Sequence, residues 1–407
     1  MFRKCSVALV VVIALQLFAT FFGFASPSVS RAGPSTSGKV VFSLFNTGDL
    51  STISSQYNLT GIKALFTPGA YLANVPAKVS PDSLALTMAG DARIDTVSPD
   101  YGMTLIESGS FFNMDANSFR FNPDSGLNES TANAYITANG QWAWQKTNLD
   151  DLRNLAQANN VLIGQAITVA VLDTGVDSTH PDLQGHVLPG YDALGVYPDG
   201  RDVQGHGTFV AGIIAQIAPG ATILPVRVLD PNGLGTVDSI MNGLQYAIDK
   251  GAKVVNLSLS SDMDSSTLHK LIQNARSKGV SVLAAAGNDN SGAKYFPASY
   301  GEDIAVAATD ERDYRADFSN WQGYVKLSSP GVNIYSTWLG GGYGWASGTS
   351  FSTPIVAGAA VIVRSLHPDY SPDKVRDTLK GAVDKFGAGC SCGGMGTGRL
   401  NFLKLVN

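Results

Sequence analysis

The chain has 407 residues, of which 44% are hydrophobic and 15% are charged, and 44 are glycines. This balance excludes a disordered protein and a coiled coil, and the length allows two or three domains. The net charge is −5 with no long run of either sign, which excludes the basic face that a nucleic-acid-binding protein needs.

The first 25 residues have the pattern of a secretory signal peptide. Arg3 and Lys4 precede an apolar run from about Val7 to Phe24, and the small residue Ala25 ends it. A membrane anchor is the alternative, because the run is nearly long enough to span a bilayer. Small residues rather than charges follow the run, which favours cleavage. We therefore expect a secreted protein with no stable membrane association after the signal is removed.

A small α+β domain follows the signal peptide. Residues 26–38 are small and polar and predict a linker. The segment 39–105 predicts the order βαββαβ. The strands are expected at 39–45, on both sides of Pro68-Gly69 within 61–77, and at 93–101, and the helices at 49–58 and 80–90. Residues 106–145 show no firm periodicity and are interpreted as a connector.

Short apolar strands alternate with helices from about residue 163 onward. Strands are predicted at 166–174, 221–229, 252–259, 280–287 and 303–309, and helices at 206–217, 236–250 and 265–278. Strands that are apolar throughout are typically covered on both faces. The predicted fold of residues 146–407 is therefore α/β, a doubly wound, mainly parallel sheet.

Three polar residues are candidates for nucleophilic catalysis. Asp173 ends the strand VAVLDTG, where α/β folds place their sites, although a cap or turn is the alternative. His206 lies between two glycines in GHGTFVAGIIA, at the start of a helix with an apolar face. Ser350 begins a helix that is apolar nearly all round, with Pro354 in its first turn. A simple helix cap is the alternative for Ser350, but an acid, a base and a hydroxyl together predict acyl transfer.

A fourth candidate is Asn288, which follows an apolar strand in AAAGND. Its side-chain amide can donate to a developing oxyanion beside the backbone N–H of Ser350. The positive end of the dipole of the helix that begins at Ser350 favours the same negative charge.

These segments together resemble the subtilisin-like serine proteases (subtilases). The matching motifs are VLDTGVDSTHPDL, GHGTFVAG, AAAGND and GTSFSTPIVAG, in the family's Asp, His, Asn, Ser order. The resemblance implies that Asp173 orients His206, which serves as general base and then acid, that Ser350 attacks, and that Asn288 stabilises the oxyanion.

The resemblance also implies how a substrate is bound. Two segments would pair with an extended substrate on either side, as neighbouring strands do. The first is Gly233, Leu234 and Gly235, and the second is Ser258, Leu259 and Ser260. Ala285, Ala286 and Gly287 would line the pocket for the residue before the cut. Residues 39–105 resemble the family's inhibitory propeptide, and the chain after Tyr101 is long enough to lie along Ser258–Ser260. We therefore expect a self-inhibited precursor (zymogen) of a monomeric, secreted serine endopeptidase that acts on proteins or peptides.

Three departures from the family's pattern affect the expected site. Phe209 stands where many relatives have His, and Ser260 stands where Gly is common. After Gln216 the chain lacks the inserted loop that binds calcium in many relatives. Asp182 matches one calcium ligand, but without that loop we expect no metal site and no cofactor.

Cys390 and Cys392 are the cysteines that remain after signal removal. A zinc site would need two more ligands, and no other Cys or nearby His supplies them. A small, strained disulfide ring is the favoured interpretation for a chain outside the cytosol.

Other classes of function fit less well. An α/β-hydrolase needs G-x-S-x-G with Asp and His after the serine, but Ser352 occupies the second glycine position and His367 is the only later His. The metalloprotease motif H-E-x-x-H is absent. A degenerate protease kept as a binding or structural module is the non-enzymatic alternative, and reaction of Ser350 with a fluorophosphonate separates it from an enzyme.

Overall fold

The computed structural model describes residues 37–105, 142–387 and 390–406. The predicted signal peptide, most of the linker and residues 106–141 of the connector lie outside the described residues. The expectations for those segments therefore stay predictions.

The segment 39–99 forms an antiparallel sheet with two helices, and the expected order βαββαβ is confirmed. Its elements are β1 (Lys39–Leu44), α1 (Leu50–Gln56), β2 (Thr60–Ala64), β3 (Ala70–Asn74), α2 (Pro81–Met88) and β4 (Ile94–Pro99). The strand order is β2-β3-β1-β4. Apolar side chains from the strands and both helices, such as Phe42, Ile53 and Met88, form a separate small core. We call residues 39–105 the N-terminal module.

A nine-stranded sheet forms the centre of the larger part. Its strands are β6 (Thr168–Asp173), β7 (Tyr191–Asp192), β8 (Thr222–Arg227), β10 (Val254–Leu257), β12 (Ser281–Ala285), β13 (Ile304–Thr309), β14 (Leu327–Pro330), β17 (Val383–Asp384) and β18 (Arg399–Leu400). The order is β17-β18-β14-β13-β12-β10-β6-β8-β7, and all neighbours are parallel except β17 and β18. The five predicted strands are confirmed at its centre, whereas the short strands near its edges were not predicted.

Helices cover both faces of this sheet, as expected for a doubly wound fold. They are α3 (Trp142–Lys146), α4 (Leu149–Ala158), α5 (His206–Ile217), α6 (Val237–Asp249), α7 (Ser266–Ser277), α8 (Thr349–Leu366) and α9 (Pro372–Gly381). One apolar core contains side chains from α3, α4, α5, α8 and α9, and a second contains side chains from α6 and α7. Residues 142–145, assigned above to the connector, instead belong to α3, where Ala143 and Trp144 are buried because they join the first core.

Helix α8 is buried at every residue from Thr349 to Arg364. Among the described residues, α8 is the one helix that is long and apolar enough to cross a membrane. Its burial identifies it as a core helix. This agrees with the interpretation of a helix that is apolar nearly all round.

Two smaller sheets complete the architecture. β5 (Gly102–Leu105) lies between β9 (Leu234–Thr236) and β11 (Leu259–Ser260). β15 (Ile334–Trp338) and β16 (Gly342–Ala346) form a hairpin. Cys390 and Cys392 are joined by a disulfide, in agreement with the favoured interpretation of that pair.

The crossing of α5 and α8 depends on a glycine, and this gives a prediction. A Cβ added at Gly358 would lie 2.5 Å from Ile217 Cγ2, closer than real contacts allow. We expect Gly358→Ala to destabilise the protein by about 1–3 kcal/mol through overpacking. The measurement is a thermal unfolding scan of the Ser350→Ala chain, which avoids self-digestion.

The matched control is Gly381→Ala at the end of α9, where an added Cβ meets no heavy atom within 4 Å. The control should unfold at the parent temperature. Equal melting temperatures for both variants would contradict the packing argument.

Candidate active site

Asp173 and His206 form a buried pair. Asp173 is the last residue of β6 and His206 is the first residue of α5. Asp173 Oδ1 lies 2.8 Å from His206 Nδ1, and both side chains are fully buried. Because a carboxylate only accepts hydrogen bonds, Nδ1 donates, and Nε2 is the nitrogen left to receive a proton. The pair therefore has the geometry of an oriented base.

The environment of Asp173 affects its ionisation in two opposing ways. Burial raises the pKa of this carboxyl, because the charged form loses its hydration. The His206 imidazole and the backbone N–H of Thr174, which donates to Asp173 Oδ1 at 2.7 Å, both lower the pKa again. Burial is the larger effect, so the pKa of Asp173 stays above its ordinary value, although these contacts stabilise the charged form.

The two glycines beside His206 are required by close packing. Gly205 has φ +112°, and a Cβ there would lie 2.4 Å from the ring of Trp338. A Cβ on Gly207 would lie 2.0 Å from the carbonyl oxygen of Gly175. Gly205 therefore lets the start of α5 approach Trp338 of β15, and Gly207 lets it approach the end of β6 and the residues that follow it.

Ser350 lies in the first turn of α8 and is fully buried. Its Oγ donates to the carbonyl oxygen of Ser258 at 3.2 Å, and Ser258 Oγ donates to the carbonyl oxygen of Ser350 at 2.8 Å. The ring of Phe351 packs on the ring of His206, with centroids 5.4 Å apart. The start of α8 therefore meets the base on one side and the strand region before β11 on the other.

Asn288 is attached to the same helix start. Its Oδ1 accepts hydrogen bonds from Thr349 N at 2.9 Å and Thr349 Oγ1 at 2.8 Å. The backbone N–H of Gly287 donates to Thr349 Oγ1 at 3.2 Å. Because these bonds fix the carbonyl end of the amide, its Nδ2 end is directed away from Thr349. The side chain is thus oriented by the residue that precedes Ser350.

The two segments expected to flank a substrate lie on either side of β5. Leu105 and Thr104 pair with Leu259 and Ser260. On the other edge, Thr104, Met103 and Gly102 pair with Leu234, Gly235 and Thr236, and Leu105 N donates to the Gly233 carbonyl oxygen at 2.9 Å. Both pairings are antiparallel. An extended chain thus fills the space between β9 and β11, and Ser258, which contacts Ser350, directly precedes β11.

Ala285, Ala286 and Gly287 lie outside this three-stranded sheet. All three are buried at the end of β12, directly before Asn288. The carbonyl oxygen of Ala286 accepts hydrogen bonds from Asn320 Nδ2 and Tyr324 Oη at 3.2 and 3.1 Å. Their expected contact with a substrate side chain stays a prediction.

Comparisons with known proteins agree on one family. A profile of the subtilase family (Peptidase S8) matches residues 164–397. Subtilisin Savinase of Lederbergia lenta is 41% identical over 242 residues, which cover 57% of this chain and 89% of that protein. A thermophilic serine proteinase of Bacillus sp. strain AK1 is 43% identical over 252 residues, but the chain spans only 61% of that protein's length.

The chain belongs to the subtilase family.

A solved structure extends the likeness to the N-terminal module. Fervidolysin from Fervidobacterium pennivorans, described as a keratinolytic enzyme related to subtilisin, superimposes with a TM-score of 0.73 at 26% identity. The match covers 92% of this chain and 62% of that protein. Residues 146–407 make up less than two thirds of this subtilase. A match over 92% of the chain must therefore also include residues that precede them.

Asp182 and the carbonyl oxygen of Gln216, the two positions considered above for calcium, both accept hydrogen bonds from other side chains of this subtilase. Asp182 Oδ2 accepts a hydrogen bond from Tyr343 Oη at 2.7 Å. The carbonyl oxygen of Gln216, at the position of the missing loop, accepts from Arg153 Nη2 at 2.6 Å. Among the residues that the structure describes, no group of three or more His, Cys, Asp or Glu side chains is placed to hold a metal. A phenol therefore donates to Asp182 and a guanidinium donates to Gln216. The expectation that calcium is not bound stays a prediction.

Several residues around the site were missed by the sequence analysis. Thr174, which follows Asp173, is hydrogen-bonded to Asp202 and to the start of α5. Thr349 orients Asn288 through a hydrogen bond to its side chain. Asp202 carried a usable signal, since an acid shortly before a helix start is a common cap. Thr174 and Thr349 are adjacent to the predicted residues, but their contacts join segments far apart in sequence.

Chelation should leave this subtilase stable. With no loop to supply the six or more oxygens that calcium takes, EDTA is expected to change Tm by less than about 2 °C. By contrast, Arg153→Met should lower Tm, because it leaves the Gln216 carbonyl oxygen without its charged donor, and added calcium should not restore it. The measurement is thermal unfolding of Ser350→Ala chains with and without EDTA. A large drop with EDTA would reveal a cation site elsewhere.

Proposed function

We propose that this subtilase is a secreted serine endopeptidase, made as a self-inhibited precursor, with Asp173, His206 and Ser350 as its catalytic triad. The observation that carries the proposal is the pairing of β5 between β9 and β11. An extended chain held by main-chain hydrogen bonds beside a serine, an oriented imidazole and an acid is how an endopeptidase holds the interior of a polypeptide.

The proposed reaction follows from the groups around Ser350. His206 Nε2 removes the Ser350 proton as Oγ attacks the carbonyl carbon of the peptide bond, and Asp173 stabilises the imidazolium that forms. The backbone N–H of Ser350, the N-terminal end of α8 and the Asn288 amide stabilise the oxyanion. His206 then gives the proton to the leaving amine. In the second half of the reaction water attacks the acyl-enzyme, His206 removes its proton, and Ser350 Oγ leaves and recovers that proton from His206.

The substrate class follows from the way in which β5 is held. Its hydrogen bonds to β9 and β11 join backbone atoms, which every peptide presents in the extended conformation. Side chains add selectivity where they are enclosed, and Met103 is 1% exposed. We propose a protease that accepts many extended protein or peptide segments, with an apolar preference at the position that Met103 occupies.

The precursor proposal rests on the contacts of the N-terminal module. β5 is the last strand of this module and lies between the two segments proposed to bind substrate. The module also contacts α7, where Ser98 Oγ lies 2.7 Å from Thr267 Oγ1 and Ser266 Oγ donates to the Val97 carbonyl oxygen. While β5 stays in place, no other chain can pair there. A folding aid or a permanent extra domain is the alternative role for the module.

Secretion is supported by the sequence of the first 25 residues and by the disulfide between Cys390 and Cys392. Disulfides form and persist outside the reducing cytosol. We propose that the signal peptide is removed and that the protease acts outside the cell.

The triad proposal predicts the effect of three substitutions. Ser350→Ala and His206→Ala should each lower peptide hydrolysis by several orders of magnitude without unfolding the protein, and the double variant should be little worse than either. Asn288→Ala should lower turnover by about 10²–10³. Steady-state kinetics and fluorophosphonate labelling check these outcomes. Near-normal turnover of Ser350→Ala would show that the nucleophile is wrongly assigned.

The precursor proposal predicts self-cleavage between about 105 and 145. β5 holds the chain with Leu105 opposite Leu259, next to the segment that contacts Ser350. Residues 26–407 with Ser350→Ala should stay full length, whereas the wild-type chain should lose its module. Mass spectrometry compares the two. If both chains stay intact and the wild type is fully active, the module is not a restraint.

Release of the cleaved module should depend on pH through Asp100. Burial and the neighbouring Asp238 raise the pKa of this carboxyl to about 7, although Lys39 and hydrogen bonds from Asp238 N and Ser37 Oγ oppose them. A carboxyl that binds a proton more tightly in the complex favours the complex at low pH. This contribution is present below the carboxyl's ordinary pKa near 4 and is lost as pH rises to about 7.

Asp100→Asn tests this dependence, because the amide keeps the shape of the carboxyl without its charge. At pH 8 the variant should release its module at least about tenfold more slowly than the wild type, since each pKa unit is a tenfold change in equilibrium. The onset of activity after self-cleavage measures release at each pH. Asp82→Asn, which removes the charge from the carboxyl that accepts from Tyr101 Oη, is the control and should leave the pH dependence unchanged. Identical profiles for Asp100→Asn and wild type would contradict the mechanism.

A further inference from the structure

The acid and the base of the proposed triad lie on different elements. Asp173 ends a central strand, and His206 begins a helix 33 residues later. A contact of 2.8 Å between such side chains needs both elements to be held in one relative position. The residues that hold them are found beside the pair.

The first of these residues is Asp202, whose side chain is almost completely buried. Its Oδ1 accepts from Thr174 Oγ1, Gln204 N and Gly205 N, each at 2.9 Å. Its Oδ2 accepts from Thr208 N at 2.9 Å and Thr208 Oγ1 at 2.6 Å. A carboxylate only accepts hydrogen bonds, so its two oxygens can take all five of these donors. Asp202 therefore ties the loop before His206 and the first turn of α5 to Thr174.

The second residue is Thr174, which is fully buried next to Asp173. Its Oγ1 donates to Asp202 Oδ1 and accepts from the backbone N–H of Gly207 at 3.0 Å. Its own backbone N–H donates to Asp173 Oδ1 at 2.7 Å, the same oxygen that His206 Nδ1 contacts. One threonine thus touches the acid, the loop that precedes the base and the helix that carries it.

We propose that Thr174 and Asp202 are positioning residues for His206. Their side chains close a ring of hydrogen bonds that runs from Asp173 through Thr174 and Asp202 to the start of α5, and back through the His206 imidazole. This ring sets the distance between the acid and the base. The inference rests on the proposed triad and adds to it two residues that touch neither the substrate nor the reacting atoms.

The start of α5 also packs directly against the end of β6. A Cβ on Gly207 would lie 3.1 Å from Asp173 Cβ, so the helix start and the strand end are already in close contact. A shift of α5 along this contact moves the imidazole relative to both Asp173 and Ser350. A displacement of about 1 Å in a catalytic group can cost about a hundredfold in rate.

The test compares variants of Thr174 in the full chain. Thr174→Val keeps the side-chain shape but removes the hydroxyl, whereas Thr174→Ser keeps the hydroxyl and so serves as the rescue variant. Thr147→Val is the matched control, because Thr147 is also fully buried and donates to the Ala143 carbonyl oxygen at 2.6 Å, far from the site in sequence. Asp202→Asn removes the charge and one acceptor and provides a second, independent break in the ring.

Three measurements separate positioning from stability. Rates are normalised to active sites titrated with a fluorophosphonate, and kcat and KM are determined separately for a peptide substrate. The rate of self-cleavage is followed by mass, since a slow variant also matures slowly. In the Ser350→Ala background, the ¹H resonance of the His206 Nδ1 proton reports on the hydrogen bond to Asp173.

We expect Thr174→Val and Asp202→Asn to lower kcat by about ten- to a hundredfold with KM nearly unchanged, and to shift the Nδ1 proton resonance. Thr174→Ser should recover most of the rate. Thr147→Val should lower Tm but leave kcat and the resonance unchanged. If Thr174→Val does not fold, the kcat of Asp202→Asn and its His206 Nδ1 proton resonance still test the proposal.

The inference is overturned if Thr174→Val keeps wild-type kcat, or if Thr147→Val lowers kcat as much. A failure of the triad proposal is distinguishable from both. In that case Ser350→Ala would cleave peptides at the wild-type rate, whatever Thr174→Val does.

Discussion

The burial of α8 is the constraint on which the site depends. From Thr349 to Arg364 this helix is surrounded by protein, so it cannot rotate or slide without opening cavities in the core. Its first turn carries Ser350 and also fixes Asn288 through Thr349, Ser258 through two hydrogen bonds and His206 through the ring of Phe351. The positions of Ser350 and Asn288, and the contact of Phe351 with His206, therefore depend on the packing of a single helix.

The sequence was most informative where local pattern and tertiary role coincide. The five central strands are continuous apolar runs because both of their faces are covered, so their composition alone predicts them. The βαββαβ order of the N-terminal module follows from alternating strands and capped helices. Short edge strands such as β17 and β18 contain two residues each and leave no periodicity to detect.

The candidate site also contains some residues that the sequence identifies and others that only the structure identifies. Asp173, His206, Asn288 and Ser350 occur within long motifs, so resemblance identifies them and the structure brings Asp173 and His206 into contact. Thr174, Asp202 and Arg153 act through hydrogen bonds to distant segments, and such bonds follow no sequence period. The helix α3 was assigned to the connector because five residues are too few for an amphipathic pattern, although Trp144 anchors it in the core.

The three-stranded sheet around β5 also limits the physical state of a substrate. A chain that replaces β5 must present both of its backbone edges to β9 and β11 at once. A strand inside a folded sheet has already used both edges, and a helix has used its backbone groups internally. Only a loop, a terminus or a locally unfolded stretch has both edges available. The protease would therefore discriminate by conformation before it reads any side chain, and the local opening of its target would set the rate of attack on a folded protein.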